Sequence, residues 1–240
     1  SDVCSSDLTS NTLIGIDASA FFNLLSGYSD PPQWNKLAVA PLNLRQRIYE
    51  EIDQEIDWAR KGKKALIIAK MNSLLDKKVI ARLYEASQAG VRIQLIVRGI
   101  CVLRPGVPGL SEHIEVHSIV GRYLEHSRLF YFYNNGKEDV FISSADWMPR
   151  NLNERVELMI PVEYPPHKER VKGILNLYFH DNVKAYAMNG DGTYRYLADT
   201  RRGEPIHAQA MLQKEAEDHT RQLKKKDIKT RVLTRTSGDE

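Results

Sequence analysis

Apolar positions recur at two periods along this chain, and their alternation outlines an α/β domain. In residues 45–62, Ile48, Ile52, Ile56 and Ala59 return every three or four positions, the mark of a helix with one narrow apolar stripe. Asn43 stands where a cap belongs and Gly62 where a helix stops. Residues 65–69, Ala-Leu-Ile-Ile-Ala, are apolar throughout, which suits a short strand covered on both faces. Residues 76–89 repeat the helical period between Asp76 and Gly90. Residues 91–98 then give a second apolar strand through Ile93, Leu95, Ile96 and Val97. Helix, strand, helix, strand in that order predicts a parallel α/β unit.

Further strands are expected at 113–119, 128–133 and 140–144, the last two joined through Asn134-Asn135-Gly136-Lys137. Asn-Gly favours a hairpin turn because both residues tolerate positive φ. Another strand spans 156–162, and Pro165 and Pro166 open a helix reaching about His180. Strands at 183–188 and 194–197 flank the turn Asn189-Gly190-Asp191-Gly192. At the other end, Ala20, Phe21, Leu24 and Leu25 predict a helix over 17–28 that stops at Gly27. Residues 29–41, with Pro31, Pro32 and Pro41, read as a connector.

Charge alters this picture little. The 240 residues hold 34 Lys+Arg against 31 Asp+Glu. Residues 201–240 contain 10 basic and 7 acidic residues, which leaves 24 of each in residues 1–200. A balanced body binds anions only through local clusters, and a broad nucleic-acid surface is disfavoured. The tail is expected to fray, or to form a loose helix around 209–226. No apolar run nears the roughly 20 residues of a membrane helix, and no secretory pattern opens the chain. Cys4 and Cys101 lack metal-ligand spacing, which fits a reducing cytoplasm. Residues 1–8, Ser-Asp-Val-Cys-Ser-Ser-Asp-Leu, resemble a translated sequencing-adapter oligonucleotide and are set apart from the fold.

Candidate chemistry gathers at predicted strand ends. Arg98 closes an apolar strand beside Gly99, where an α/β sheet places ligands and where a guanidinium suits paired phosphate oxygens. A surface salt bridge is the plainer reading. Arg104, in the Pro/Gly-rich run 103–109, offers a second anion contact or an ordinary connector. Lys70 and Asn72 end the preceding strand and offer phosphate or ribose contacts, while Ser73 and Asp76 suit a helix cap. His126 precedes a strand, and Arg128 follows two residues on, so an extended segment projects both to one face. An imidazole there can act as nucleophile, acid or electrostatic contact, although a lone His is more often structural. The hairpin would return Ser144 and Asp146 towards His126, with Asp146 orienting the imidazole or else pairing with Arg150 or Arg155. His113 and His117 lie four apart in a strand and read as structural.

Four segments in order carry a family resemblance. They are Lys-Met-Asn-Ser-Leu at 70–74, Ile-Val-Arg-Gly-Ile-Cys with Leu-Arg-Pro-Gly at 96–106, Leu-Glu-His-Ser-Arg at 124–128, and Ser-Ala-Asp-Trp-Met-Pro-Arg-Asn at 144–151. With their spacing they resemble the C-terminal domain of bacterial polyphosphate kinases of the first class, over about residues 17–197. The resemblance implies a phospholipase D-like half, an α/β fold with a mixed β-sheet flanked by helices. Two such halves face each other across a tunnel. It implies reversible transfer of the ATP γ-phosphoryl group to inorganic polyphosphate with Mg²⁺, through a phosphohistidine in the other half. Arg98 and His126 match positions that contact the nucleotide phosphates. It also implies a homo-oligomer in the cytoplasm, sometimes at the inner membrane, with ATP/ADP and polyphosphate as partners and no metal ligand in this chain. Residues 9–41 are then expected to be the remnant of a preceding half and a connector, 42–200 the catalytic domain, and 201–240 a charged tail, disordered in part. The chain is expected to be a fragment that is inactive by itself. Arg128 replaces the lysine of a phospholipase D His-x-Lys pattern, Tyr133 stands near its expected Asp, and residues 144–146 replace a Gly-Ser-x-Asn segment. These departures put phosphodiester hydrolysis by a dimer in doubt. A non-catalytic anion-binding fragment is the remaining alternative.

Overall fold

The structure is a computed structural model that describes residues 11–27, 33–199 and 203–236, with side chains described as far as residue 223. The segment 1–8 lies outside the described residues. Two parallel pairings organise the centre. Strand β2 (Leu66–Met71) pairs in parallel with β3 (Arg92–Val97), and β3 with β4 (Ile114–Ile119). Helices α2 (Leu44–Arg60) and α3 (Lys77–Gln88) precede β2 and β3, as the apolar periods predict. On the far side of β2 runs the antiparallel hairpin of β5 (Arg128–Phe132) and β6 (Asp139–Ser143), followed by β7 (Glu157–Pro161). Beyond β4 lie β8 (Ala185–Met188) and β9 (Tyr194–Tyr196). With the short β1 (Ala38–Ala40) the described sheet reads β1-β7-β6-β5-β2-β3-β4-β8-β9. The fold is α/β, a mixed sheet flanked by helices.

Both faces of the sheet are covered, which explains the uninterrupted apolar strands. One face packs Ile67, Ala69, Ile93, Leu95 and Phe130 against α2 and α3. The other packs Ile96, Leu129 and Tyr131 against α5 (Pro165–Phe179). Ile48, Ile52 and Ile56 are nearly or fully buried. Each contributes about 1.5–3 kcal/mol. A short helix, α4 (Pro149–Asn153), follows β6, and α6 (Ala208–Thr236) begins with Ala208 buried against the α5 face.

The boundaries differ from expectation for physical reasons. Residues 29–41 are not all connector: Ala38–Ala40 form β1 and pair with Met159, Leu158 and Glu157. The sheet therefore begins before residue 42. The first helix, α1, spans Thr12–Leu25, and Asn11 caps it by accepting from the N–H groups of Leu13 and Ile14. Asp17 lies inside that helix, fully buried, and accepts from the N–H groups of Asn35, Lys36 and Leu37 and from Asn35 Nδ2. Burial opposes its charge, but these donors outweigh it and hold the carboxyl below its ordinary value. The helix read as a remnant is thus fastened to this domain. Asn43 does not cap α2 through its side chain, because Oδ1 accepts from Val39 N–H at 2.7 Å. The hairpin loop is longer than a two-residue Asn-Gly turn, with positive φ at Asn134, Asn135, Gly136 and Glu138. Of the two readings of the tail, fraying or a helix around 209–226, the structure has the helix, Ala208–Thr236. Among the described residues, no helix is long and apolar enough to cross a membrane.

Two carboxylates share the buried side of α2 with the isoleucines. Glu55 accepts from Leu66 N–H at 2.9 Å and from Asn134 N–H, tying β2 to the hairpin loop. Glu51 meets Arg47 at 2.7 Å, while its Oε2 is buried without a partner. Burial, against the pull of Arg47, pushes Glu51 up to about 7 from 4.5. Its folded-state value exceeds the unfolded one, so its contribution to stability is fully present below about 4.5 and is lost as pH rises towards about 7. Glu51→Gln removes that titration. Urea unfolding at pH 5 and pH 8 should show the variant losing about 1–3 kcal/mol less than the parent across this interval. Equal losses in both proteins would discard the assignment.

Candidate functional site

Parallel pairing delivers the ends of β2 and β3 to the same sheet edge, and antiparallel β5 begins there. Lys70 lies opposite Ile96 on one side and Leu129 on the other, with its side chain on the α5 face. Arg98 follows β3 directly. Arg128 opens β5, and the irregular segment 121–127 leads into it. Lys70, Arg98, His126 and Arg128 are therefore brought to one edge.

Lys70 is the buried member, 4% exposed. Its Nζ donates to Ser127 Oγ at 2.8 Å and to Ser127 O at 3.2 Å. Glu125 stands 3.6 Å away, and the ammonium sits 4.9 Å from the centre of the Tyr178 ring. Burial pushes Lys70 down to about 8, Glu125 opposes the shift, and Arg98 and Arg128 add repulsion. The Tyr178 hydroxyl is raised by burial and by its hydrogen bond with Glu125.

Arg98 is half-buried, and its guanidinium makes no hydrogen bond or ion pair among the described residues. The surface salt bridge that sequence reasoning left open is absent there. The following Gly99 donates to the Asn72 carbonyl at 2.7 Å, and a Cβ on Gly99 would lie 2.9 Å from that oxygen. A side chain at residue 99 is thereby excluded, and the turn carrying Arg98 is fixed to the end of β2. Asn72 is buried, and its Nδ2 has no partner. Its own N–H donates to Asp146 Oδ1 at 2.7 Å.

Asp146 does not orient the imidazole. Its carboxylate accepts from Arg128 Nε at 3.2 Å and Nη2 at 3.1 Å, and Arg128 Nη1 donates to the His126 carbonyl at 2.8 Å. Asp146 therefore aims Arg128 and, through the backbone, the turn at His126. The imidazole is exposed and makes no hydrogen bond among the described residues.

Ser144 is not brought to the cluster. Its Oγ donates to Glu157 and accepts from Leu158 N–H, so it faces β7. Arg104 is also elsewhere. β4 runs parallel to β3, so the chain after Arg98 must travel back along about 20 Å of strand before β4 starts. Arg104 lies on that return: its N–H donates to the Tyr84 hydroxyl, and it adds a small pull to the hydrogen bonds from Thr193 that lower Asp191 in the β8–β9 turn. Asp76 is the N-cap of α3 and also takes a two-pronged contact from Arg45 at 2.7 Å. His117 is structural, with Nδ1 3.0 Å from the Phe179 carbonyl and its ring stacked on Phe179. Sequence reasoning missed Glu125, Ser127 and Tyr178 as partners of Lys70. Glu125 and Ser127 flank His126 and were open to view, whereas Tyr178 comes from a distant helix.

The cluster suits a polyanion: three cations and an imidazole at a partly dehydrated edge. It does not suit Mg²⁺, which prefers several carboxylate oxygens. Asp146 and Glu125 already face Arg128 and Lys70. No group of three acidic, His or Cys residues able to hold a metal occurs among the described residues.

A family model described as polyphosphate kinase C-terminal domain 2 matches residues 37–209. The chain belongs to the polyphosphate kinase family. It is 52% identical to a polyphosphate kinase of Halalkalibacterium halodurans over 84% of this chain and 29% of that protein. It is also 52% identical to one of Rhodopirellula baltica over 85% of this chain and 24% of that protein. The crystal structure of polyphosphate kinase from Porphyromonas gingivalis superposes with a TM-score of 0.83 at 42% identity, covering 88% of this chain and 32% of that one. The chain thus spans less than a third of these polyphosphate kinases.

Gly99→Ala places a methyl against the Asn72 carbonyl and should lower stability by about 1–3 kcal/mol in urea unfolding. An unchanged midpoint would show that the Arg98 turn is not held this closely.

Proposed function

We propose that this chain is the C-terminal, phosphate-holding part of an ATP–polyphosphate phosphotransferase. The enzyme reversibly transfers the γ-phosphoryl group of ATP to inorganic polyphosphate, and the phosphohistidine that relays it belongs to another part of the longer protein. One observation carries the reading: Arg98 is a half-buried cation left without a counter-ion among the described residues, near the buried ammonium of Lys70. Like charges held together at a dehydrated edge are costly unless an anion completes them.

The roles follow from the contacts. Arg98 offers two parallel N–H groups to phosphate oxygens. Lys70 supplies a point charge, and Asn72 Nδ2, at the end of the same strand, is a donor without a partner among the described residues. Arg128, aimed by Asp146, steadies the segment that presents His126. His126 touches the nucleotide phosphates and, when protonated, stabilises charge on the transferring group. Phosphoryl transfer asks mainly for positioning and charge neutralisation, and these residues supply both. Mg²⁺ enters with ATP, its protein ligands lying mostly outside this chain. The longer enzyme acts as a homo-oligomer in the cytoplasm.

In the longer enzyme, Arg98→Ala and His126→Ala should each lower ATP-dependent polyphosphate synthesis by about a hundredfold or more. Near-normal turnover in either variant refutes the assignment. This chain alone should form no polyphosphate from ATP.

Lys70 adds a pH signature. Its ammonium is charged below about 8 and neutral above, so tripolyphosphate binding by this chain should weaken from pH 7 to pH 9. Lys70→Met should bind more weakly at pH 7 and lose that step. A step of equal size in the variant would assign it to another group.

A further inference from the structure

The segment 121–127 presents His126 but belongs to no helix or strand; the sheet residues Lys70 and Arg128 hold its last part, and its first part is held from outside the sheet. The holder of that first part is Gln209, in the first turn of α6 and 4% exposed. Its Nε2 donates to the Tyr123 carbonyl at 2.9 Å and to Glu125 Oε1 at 3.2 Å, and its Oε1 accepts from Tyr123 N–H at 3.1 Å. The side-chain amide thus pairs with Tyr123 as a peptide group would across a strand ladder. Its orientation is fixed, because a flipped amide would set its oxygen against two acceptors.

Gly121 lies beneath the same amide. A Cβ there would come within 2.3 Å of Gln209 Oε1, so the bare backbone is part of the seat. One turn further along α6, Gln213 accepts from the Tyr123 hydroxyl at 2.8 Å. α6 itself is anchored: buried Asp181 accepts from Ala208 N–H at 2.8 Å, and Asn182 accepts from Ile206 N–H at 2.7 Å. Glu125 continues the chain of contacts to Lys70, whose ammonium holds Ser127. The segment is fastened at residues 121, 123, 125 and 127, and His126 faces outward between the last two.

We propose that Gln209 is a positioning residue: it latches the His126 segment to α6 and sets where the imidazole meets the phosphate chain. The latch rests on the functional reading above only for what His126 binds. It makes α6 a strut of the site, so displacing that helix loosens the segment.

The test compares the full 240-residue chain, wild type, with Gln209→Ala and Gly121→Ala by amide hydrogen exchange and by titration with tripolyphosphate. Gly121→Ala unseats the amide from the loop side and leaves α6 unaltered, so it decides the matter if Gln209→Ala fails to fold. Exchange at residues 121–127 should rise about tenfold in both variants, with β2 and β3 unchanged. Tripolyphosphate affinity should fall about three- to tenfold. Unaltered exchange in the segment overturns the latch. Faster exchange with unaltered affinity leaves Gln209 a purely structural contact and overturns the positioning role. If the wild-type chain binds no tripolyphosphate, the functional reading fails, and the exchange result still decides whether Gln209 holds the segment.

Discussion

An ammonium group buried within reach of two guanidinium charges sets the terms for the rest of this domain. Desolvating Lys70 costs several kcal/mol, and Arg98 and Arg128 add repulsion to that cost. The fold offsets it with Ser127, Glu125 and the face of Tyr178. Each of those partners has its own requirements. Tyr178 fixes where α5 crosses the sheet. Glu125 and Ser127 fix the path into β5. Asp146 then stands by Arg128, so the two cations share no counter-ion and each keeps its place.

The result is an edge with one charge left over. Glu125 faces Lys70, Asp146 holds Arg128, and Arg98 faces outward without a partner among the described residues. That asymmetry separates a binding edge from a surface ion-pair network, in which charges cancel locally. Under the proposed function this asymmetry would meet a phosphate chain, which presents repeated negative charge at close spacing. The backbone adds rigidity, since Gly99 lies against Asn72 with no room between them.

Much of this was legible in the sequence, and the exceptions share a cause. Apolar periods located the helices and strands because both sheet faces are buried. Parallel order then placed Lys70 and Arg98 on one edge. The exceptions lie where the chain leaves that regular frame. Arg104 looked close to Arg98 in sequence, but a parallel crossover sends the chain down the far side of the layer. Ser144 and Asp146 were both expected to return towards His126, yet β6 ends at Ser143, and Ser144 turns to β7 while Asp146 meets Arg128. Asp17, Asn43 and Glu55 spend their side chains on backbone groups of other elements, which no local pattern announces. Gln209 stands 86 residues from its partner Tyr123, and nothing in its neighbours marks it.

Those separations bear on how the edge comes into being. Lys70 meets Ser127 across 57 residues, and Asn72 meets Asp146 across 74. Closing such loops costs entropy before any contact returns it, and high contact order slows folding. The edge is complete only once β5 has joined β2 and α6 has docked. Its formation therefore depends on long-range closure rather than on any one local segment. A nascent chain carries every cation of the cluster well before the edge that gathers them exists.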